Sequence, residues 1–337
     1  MAAFNSFFIG SHMAADNFCF ENRSNKCTSL DLKTLREGVN WSAVETSPFV
    51  FDFSSLRERS DAANEKQIEI IWDLCQYGFP KGLSPTSAGF SERFAAYCEA
   101  FAIFYSNYAK KQLFVIPIAE ITFLAWQAND HRTSFAPEVG LNTKYSLCKA
   151  AIRGINSLRR ADPQCRILIV EPLIRVHAGS YTEAEHLFRL NEAQFQVMDT
   201  IAGRLYPELG GSEGHLDILG FNYDFYSQWE EGGKPLPWPE VFERRVPLSS
   251  LLKMVSNRYD RPLVVTETGH VGSNQLQWIE EIVNECLLAK DHDVQLQGIG
   301  LSLDLYNEDS QQEIERLICN TYTRLDELVL PSASAFG

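Results

Sequence analysis

The sequence has no run of apolar residues long enough to cross a membrane, since a spanning helix needs roughly 20 of them in succession. Its first 15 residues carry no Lys or Arg and are a poor match to a signal peptide. The eight cysteines are scattered, and no two of them form a Cys-x-x-Cys pair. We therefore expect reduced, mostly buried thiols in a cytoplasmic protein.

Motifs for metal and cofactor chemistry are also missing. The seven histidines include no His-x-His and no His-Glu-x-x-His, and there is no Gly-x-Gly-x-x-Gly, phosphate loop or Gly-x-Ser-x-Gly. We expect no metal and no cofactor. The net charge of −14, from 30 basic and 44 acidic residues, repels nucleic-acid phosphate and anionic lipid, so neither is an expected partner.

The composition is that of a globular protein, with 45% apolar and 22% charged residues, which excludes a disordered or fibrous chain. Eight short apolar runs recur at intervals of roughly 30 to 50 residues, the length of one βα unit. They are near-continuous rather than alternating, as expected for parallel strands covered on both faces. The runs are Phe4–Gly10, Thr34–Trp41, Ile68–Cys75, Leu113–Ala119, Arg166–Glu171, Leu216–Asn222, Pro262–Glu267 and Leu296–Leu303.

Helical spacing of apolar residues fills the intervals between these runs. The predicted helices cover Phe94–Tyr108 and Leu147–Leu158, and two more begin at Ser273 and Ser310. This alternation predicts an α/β protein, a single (β/α)8 TIM barrel that spans residues 1–337. Because a barrel needs only about 250 residues, we expect the excess in loops, the longest at about 224–246 after the sixth strand.

In a barrel of this kind, functional side chains lie at the C-terminal ends of the strands and in the loops that follow. This rule gives a short set of candidates, dominated by carboxylates, aromatics and amides. The residues at the predicted strand ends are Ser11, His12, Arg36, Trp41, Trp72, Asp73, Glu120, Glu171, Asn222, Tyr223, Glu267 and Asp304.

Two glutamates stand out among these candidates. Glu120 follows the fourth apolar run, and Glu267 ends the seventh. A carboxylate at the end of a buried strand is unfavourable unless it is paired or poised for proton transfer. Cleavage of a glycoside needs two carboxyl groups, one as proton donor and one as nucleophile or base. In the competing interpretation, each glutamate only tethers a loop through hydrogen bonds.

Short segments across most of the predicted barrel resemble the clan A glycoside hydrolases and, within that clan, the β-glucosidase-like proteins. The segment Pro262–Gly269 is similar to the strand-seven motif and is the most specific. The other similar segments are Leu35–Ser42, Ile71–Leu74, Pro117–Glu120 and Leu219–Tyr223. The resemblance implies a retaining glycosidase with this barrel fold, which acts on a small carbohydrate or glycoside.

The resemblance also implies the roles of site residues. Glu120 corresponds to the acid/base and Glu267 to the nucleophile, which Tyr223 would contact. We further expect substrate contacts from Arg36, Trp72, Asp73, Asn222 and Trp229. The two tryptophans of the long loop, Trp229 and Trp238, either stack on sugar rings or pack that loop onto the barrel.

Two of the charged residues have alternative roles that the sequence leaves open. Arg36 would keep Glu267 ionised, since a nearby cation favours a carboxylate. It could instead form a buried ion pair with Glu37 or Glu171. Asp73 either binds sugar hydroxyls or caps the turn after its strand.

Some family positions hold other residues in this sequence. The Asn that precedes the acid/base in the family, where it contacts the sugar 2-hydroxyl, is Ala119, and the His before Trp-Asp is Ile71. The eighth strand lacks the Trp on which the sugar stacks. These departures imply a changed substrate, or else a catalytically weakened or inactive carbohydrate-binding protein. A third alternative, a lyase with a Lys Schiff base, would need a Lys at a strand end, and none is predicted there.

Overall fold

The computed structural model describes residues 4–11, 20–75, 78–109, 111–127, 140–179, 182–303 and 311–329. Three of the predicted features, namely His12, Asp304 and the helix start at Ser310, lie outside these residues. Among the helices that are described, none is long and apolar enough to span a lipid bilayer.

Eight parallel strands close into a barrel. In chain order they are β1 (Phe8–Ser11), β2 (Thr34–Gly38), β3 (Glu69–Asp73), β4 (Phe114–Ile116), β5 (Arg166–Pro172), β6 (Ile218–Asn222), β7 (Leu263–Thr268) and β8 (Leu296–Ser302). Each strand pairs with its neighbours along the chain, and β1 pairs with β8 to complete the barrel. Every predicted apolar run contributes one strand, so the (β/α)8 TIM barrel is confirmed.

The fourth strand is shorter than its apolar run. The run extends from Leu113 to Ala119, whereas β4 ends at Ile116. Pro117 follows directly, and proline has no N–H to donate to a strand ladder. The chain therefore leaves the barrel wall early and reaches Glu120 through a bend.

Helices surround the barrel. They are α1 (Phe20–Ser29), α2 (Trp41–Val44), α3 (Ser54–Glu65), α4 (Phe90–Tyr108), α5 (Ile121–Gln127), α6 (Leu141–Ala161), α7 (Ala184–Glu192), α8 (Gln196–Ile201), α9 (Leu248–Tyr259), α10 (Gln275–Asp291) and α11 (Gln311–Val329). Both α4 and α6 begin earlier than their apolar spacing predicts. Each starts directly after a glycine in the left-handed region, Gly89 or Gly140, where a helix cannot continue toward the N-terminus.

Successive side chains of each strand point alternately into the barrel and toward the helices. Outward-facing residues such as Leu35, Trp72 and Phe221 belong to the large core between strands and helices. The barrel interior holds a separate apolar cluster. Its members are Phe4, Ile9, Ile71, Phe114, Ile116, Ala119, Leu168, Val170, Ile218 and Val264. Both faces of the strands are therefore buried, which explains their near-continuous apolar sequences.

The predicted loop after β6 contains regular structure. Its segments Gln228–Glu230 and Lys234–Pro235 pair with each other, and the first also pairs with Arg175–His177, which follows β5. The result is a three-stranded sheet beside the barrel. Residues 224–246 are thus only partly a loop.

Candidate active site

Arg36 lies at the centre of the polar groups at the C-terminal end of the barrel. It faces inward from β2, because its neighbour Leu35 belongs to the outer core. Its Nη2 donates to Asp73 Oδ2 at 2.7 Å. Its Nη1 lies 3.3 Å from both Glu267 Oε2 and Asn222 Oδ1. One buried guanidinium thus connects the ends of β2, β3, β6 and β7.

An irregularity in β7 turns Glu267 toward this guanidinium. Strand alternation places Val264 inside the barrel and Val265 outside. The pairing of β7 with β6 shifts register between Val265 and Glu267. Thr266 then donates from Oγ1 to the inward-facing Asn222 Oδ1 at 2.8 Å, so two consecutive residues, Thr266 and Glu267, both face inward.

A glycine in β8 leaves room for this irregularity. A Cβ added at Gly300 would lie 2.0 Å from the carbonyl oxygen of Thr266 and 3.0 Å from the backbone nitrogen of Glu267. Only a residue without a side chain allows the two strands to approach this closely. Gly300 therefore helps to position Glu267.

Glu120 approaches the same cluster from the turn after β4. Its backbone is left-handed, with φ at 50°, and its N–H donates to the carbonyl oxygen of Val170 at 2.8 Å. Its side chain is hydrogen-bonded to the side chain of Asn222. Because Asn222 also contacts Arg36, which contacts Glu267, the carboxyl groups of Glu120 and Glu267 belong to one connected set of polar side chains.

Burial raises the pKa of the Glu120 carboxyl above its usual range. The Arg36 guanidinium and the Asn222 hydrogen bond lower this pKa, while the negative charges of Asp73 and Asp224 raise it. The net direction is upward, so the protonated acid persists to a higher pH than that of a solvated glutamate. A carboxylic acid that stays protonated can donate its proton to a leaving group.

Asp73 supports the site from beneath. It is fully buried, so its carboxylate has no surface for a sugar. Its partner is Arg36, which settles that it does not act on β3 merely as a turn cap. The alternative ion pairs predicted for Arg36 are wrong. Glu37 faces outward and binds Arg23, and Glu171 accepts from the backbone of Thr122.

Two of the predicted contact residues point away from the barrel interior. Trp72 is fully buried and packs on Phe101 of α4, with ring centroids 5.9 Å apart. The ring of Tyr223 stacks on Trp278 of α10 at 5.9 Å. Tyr223 does contact the expected nucleophile, but through its backbone N–H, which donates to the Glu267 carbonyl oxygen at 3.0 Å.

The two tryptophans after β6 pack the segment onto the barrel. Trp229 contacts a small apolar cluster of Ile174, Val176 and Leu190, outside the barrel mouth. Trp238 is buried against Trp278, with ring centroids 5.2 Å apart. Of the two roles that the sequence left open, the structure shows packing.

Two further acidic residues lie near Glu120. Asp224 influences it through its charge, as does Glu171, which is fully buried at the end of β5. Glu171 is among the predicted strand-end residues, whereas Asp224 has only its position directly after Tyr223 as a signal in the sequence. Within the described ranges, no three His, Cys, Asp or Glu side chains are grouped to hold a metal ion.

Solved structures with the same fold are β-glucosidases and related proteins. Fpglu1 from Fervidobacterium pennivoraus superposes with a TM-score of 0.72 at 14% identity, over 89% of this chain and 83% of its own. The β-glucosidase from Thermotoga maritima, in complex with glucoimidazole, gives a TM-score of 0.69 at 14% identity, over 88% and 86% of the two chains. Its complex with azafagomine gives 0.66 at 15% identity, over 82% and 75%.

Comparison of the sequence alone finds less. No family model matches it, and no curated protein matches it. The relationship is therefore carried by the three-dimensional arrangement and by the short motifs at the strand ends. In its fold, the chain is a β-glucosidase-like (β/α)8 barrel.

Proposed function

We propose that the protein is a retaining glycoside hydrolase that cleaves an O-glycoside through a covalent glycosyl-enzyme intermediate. One observation carries the proposal. Arg36 Nη1 lies 3.3 Å from both Glu267 and Asn222, and the Asn222 side chain is hydrogen-bonded to Glu120. The β-glucosidase-like fold of the chain supports the same reaction class.

The first step transfers the sugar to the protein. The Glu267 carboxylate attacks the anomeric carbon and forms an ester, while Glu120 gives its proton to the glycosidic oxygen as the C–O bond breaks. In the second step, Glu120 takes a proton from water, and the oxygen of that water displaces Glu267 from the anomeric carbon. The two residues are then in their starting protonation states.

The charges around the two carboxyls suit these roles. The Arg36 guanidinium stabilises the negative charge that makes Glu267 a nucleophile. Burial raises the pKa of Glu120, which keeps it protonated for the first step. When Glu267 becomes a neutral ester, a negative charge disappears from the site, which lowers the pKa of Glu120 and prepares it to act as a base.

A catalytically weakened or inactive carbohydrate-binding protein is the second candidate. Ala119 and Ile71, which take the places of the family's Asn and His, lie in the apolar cluster inside the barrel. Apolar side chains there remove two polar contacts to the sugar, including one that strengthens in the transition state. Isothermal calorimetry that shows sugar binding, together with no turnover of a panel of aryl glycosides, would select this candidate.

Substitution Glu267→Gln tests the proposed reaction. It preserves the size of the side chain but removes the nucleophile, so hydrolysis of aryl glycosides should be abolished while the protein stays folded. Glu240→Gln, at an exposed position after β6, is the matched control and should keep full activity. Turnover by Glu267→Gln at the wild-type rate excludes the mechanism.

We further propose that the reaction takes place in the cytoplasm. Seven cysteines lie within the described residues, all of them as free thiols, and all but Cys319 are buried. Reduced buried thiols are typical of that compartment.

A further inference from the structure

Glu171 is a buried carboxyl that the reaction described above does not use. It lies at the end of β5 and is only 1% exposed. Its strand neighbour Val170 faces the barrel interior, so Glu171 faces outward, toward α5 and α6. An ionisable side chain in this position is unfavourable unless it has a specific partner.

Its partner is the backbone immediately after Glu120. The N–H of Thr122 donates to the two carboxyl oxygens of Glu171 at 3.2 and 3.4 Å. Two residues earlier, the N–H of Glu120 donates to the Val170 carbonyl oxygen at 2.8 Å. Two consecutive residues of β5 therefore hold the chain on both sides of Ile121, where α5 begins.

This attachment holds a conformation that a glutamate does not adopt readily. The φ of Glu120 is 50°, in the left-handed region, where the Cβ of a non-glycine residue is crowded by its own backbone. Such a residue keeps this conformation only when the surrounding structure imposes it. The direction of the Glu120 side chain follows from this backbone geometry.

We propose that Glu171 is a positioning residue for the acid/base: its bond to the Thr122 backbone holds the turn that directs Glu120 toward Asn222 and the substrate. The inference rests on the proposed glycosidase reaction. It adds a residue that acts through Glu120 and that does not itself touch the substrate.

The charge of Glu171 adds an electrostatic effect to this role. Burial raises its pKa to about 7, and the charge of Glu120 raises it as well, while the Thr122 hydrogen bonds and the charge of Lys144 lower it. Lys144 and the Cys148 thiol face Glu171 from α6, and the Lys144 Nζ donates to Gln196 Oε1 at 2.9 Å. Since repulsion between two carboxylates is mutual, ionised Glu171 keeps Glu120 protonated to higher pH.

Two substitutions separate position from charge. In Glu171→Gln the amide oxygen can still accept from Thr122, but the charge is gone. We expect kcat within about 3-fold of wild type, and an alkaline limb of the pH profile at lower pH because the pKa of Glu120 falls. Glu171→Leu also removes the acceptor, and should lower kcat roughly 10- to 100-fold with KM nearly unchanged, because Glu120 is misdirected.

Glu285→Gln is the matched control. Glu285 accepts from the Ser249 backbone N–H at 2.9 Å, close to the start of α9, and thus resembles Glu171 in its contact but not in its location. It should leave kcat and the alkaline limb unchanged. A loss of activity that Glu285→Gln shares would indicate a general effect on folding and would overturn the proposal.

A readout without turnover keeps this inference separate from the proposed function. The titration of Glu120, followed by carbon-13 NMR of labelled glutamate side chains and assigned with Glu120→Gln, should move to lower pH in Glu171→Gln. An unchanged titration overturns the proposal, whether or not Glu171→Leu folds. A wild-type protein that hydrolyses no glycoside defeats the proposed reaction, while the titration still tests the link between the two glutamates.

Discussion

The Nη1 atom of Arg36 lies 3.3 Å from Oε2 of Glu267, although the two residues are 231 positions apart in the chain. The same guanidinium donates through Nη2 to the fully buried Asp73 at 2.7 Å. One cation is therefore shared between a buried acid and the proposed nucleophile. This arrangement fixes the guanidinium on one side and leaves its other side to orient Glu267.

Removal of the Asp73 charge should destabilise the protein. In Asp73→Asn the buried Arg36 loses one of its two carboxylate partners, and breaking a buried ion pair in this way lowers the free energy of unfolding by about 3 kcal/mol. Urea denaturation measures the change. Asp31→Asn is the control, because Asp31 pairs with Lys33 on the surface with 84% of its side chain exposed, and its loss should have no measurable effect. Equal stabilities of the two variants would contradict the role given to Asp73.

Two substitutions beside Glu120 should move the alkaline limb of the pH profile in opposite directions. Asp224→Asn removes a negative charge that raises the pKa of Glu120, so activity should be lost at lower pH than in wild type. Asn222→Asp removes the hydrogen bond that lowers this pKa and adds a negative charge, so activity should persist to higher pH.

The limb reports Glu120 because the acid must be protonated in the first step, and activity falls as the pH rises through its pKa. The dependence of kcat/KM on pH measures this limb in the free protein. Shifts of the two variants in the same direction would show that another group controls it.

Gly300→Ala tests how β8 positions the nucleophile. The added Cβ would lie 2.0 Å from the Thr266 carbonyl oxygen, so β7 must move. We expect a loss of about 1–3 kcal/mol in the free energy of unfolding from overpacking, and a fall in kcat of about 100-fold from displacement of Glu267. Gly214→Ala is the control, because its nearest neighbour is 3.7 Å away. An unchanged kcat in Gly300→Ala would show that Glu267 does not depend on this close approach.

The barrel could be predicted because its strands are buried on both faces. Such strands read as uninterrupted apolar runs, and polar residues that follow them stand out. Glu120 and Glu267 were found in this way. The end of β4 was misplaced by three residues, since Pro117 ends the strand although the apolar run continues to Ala119.

The direction of individual side chains was harder to predict. Alternation along β3 and β6 sends Trp72 and Tyr223 into the helix layer, whereas the strand-end rule treats every residue there alike. The irregularity in β7 breaks that alternation and depends on how closely β8 approaches, which is a property of two strands together. The link from Glu171 to Thr122 likewise exists only once β5 and α5 are packed.

Covalent trapping tests the central claim most directly. The protein would be incubated with activated 2-deoxy-2-fluoro glycosides of several sugars, and the labelled peptide would be identified by mass spectrometry. The fluorine slows the breakdown of a glycosyl ester, so a retaining hydrolase should accumulate one sugar per chain on Glu267, and Glu267→Gln should carry none. A label on another residue, or turnover of ordinary glycosides without any covalent adduct, would contradict the account.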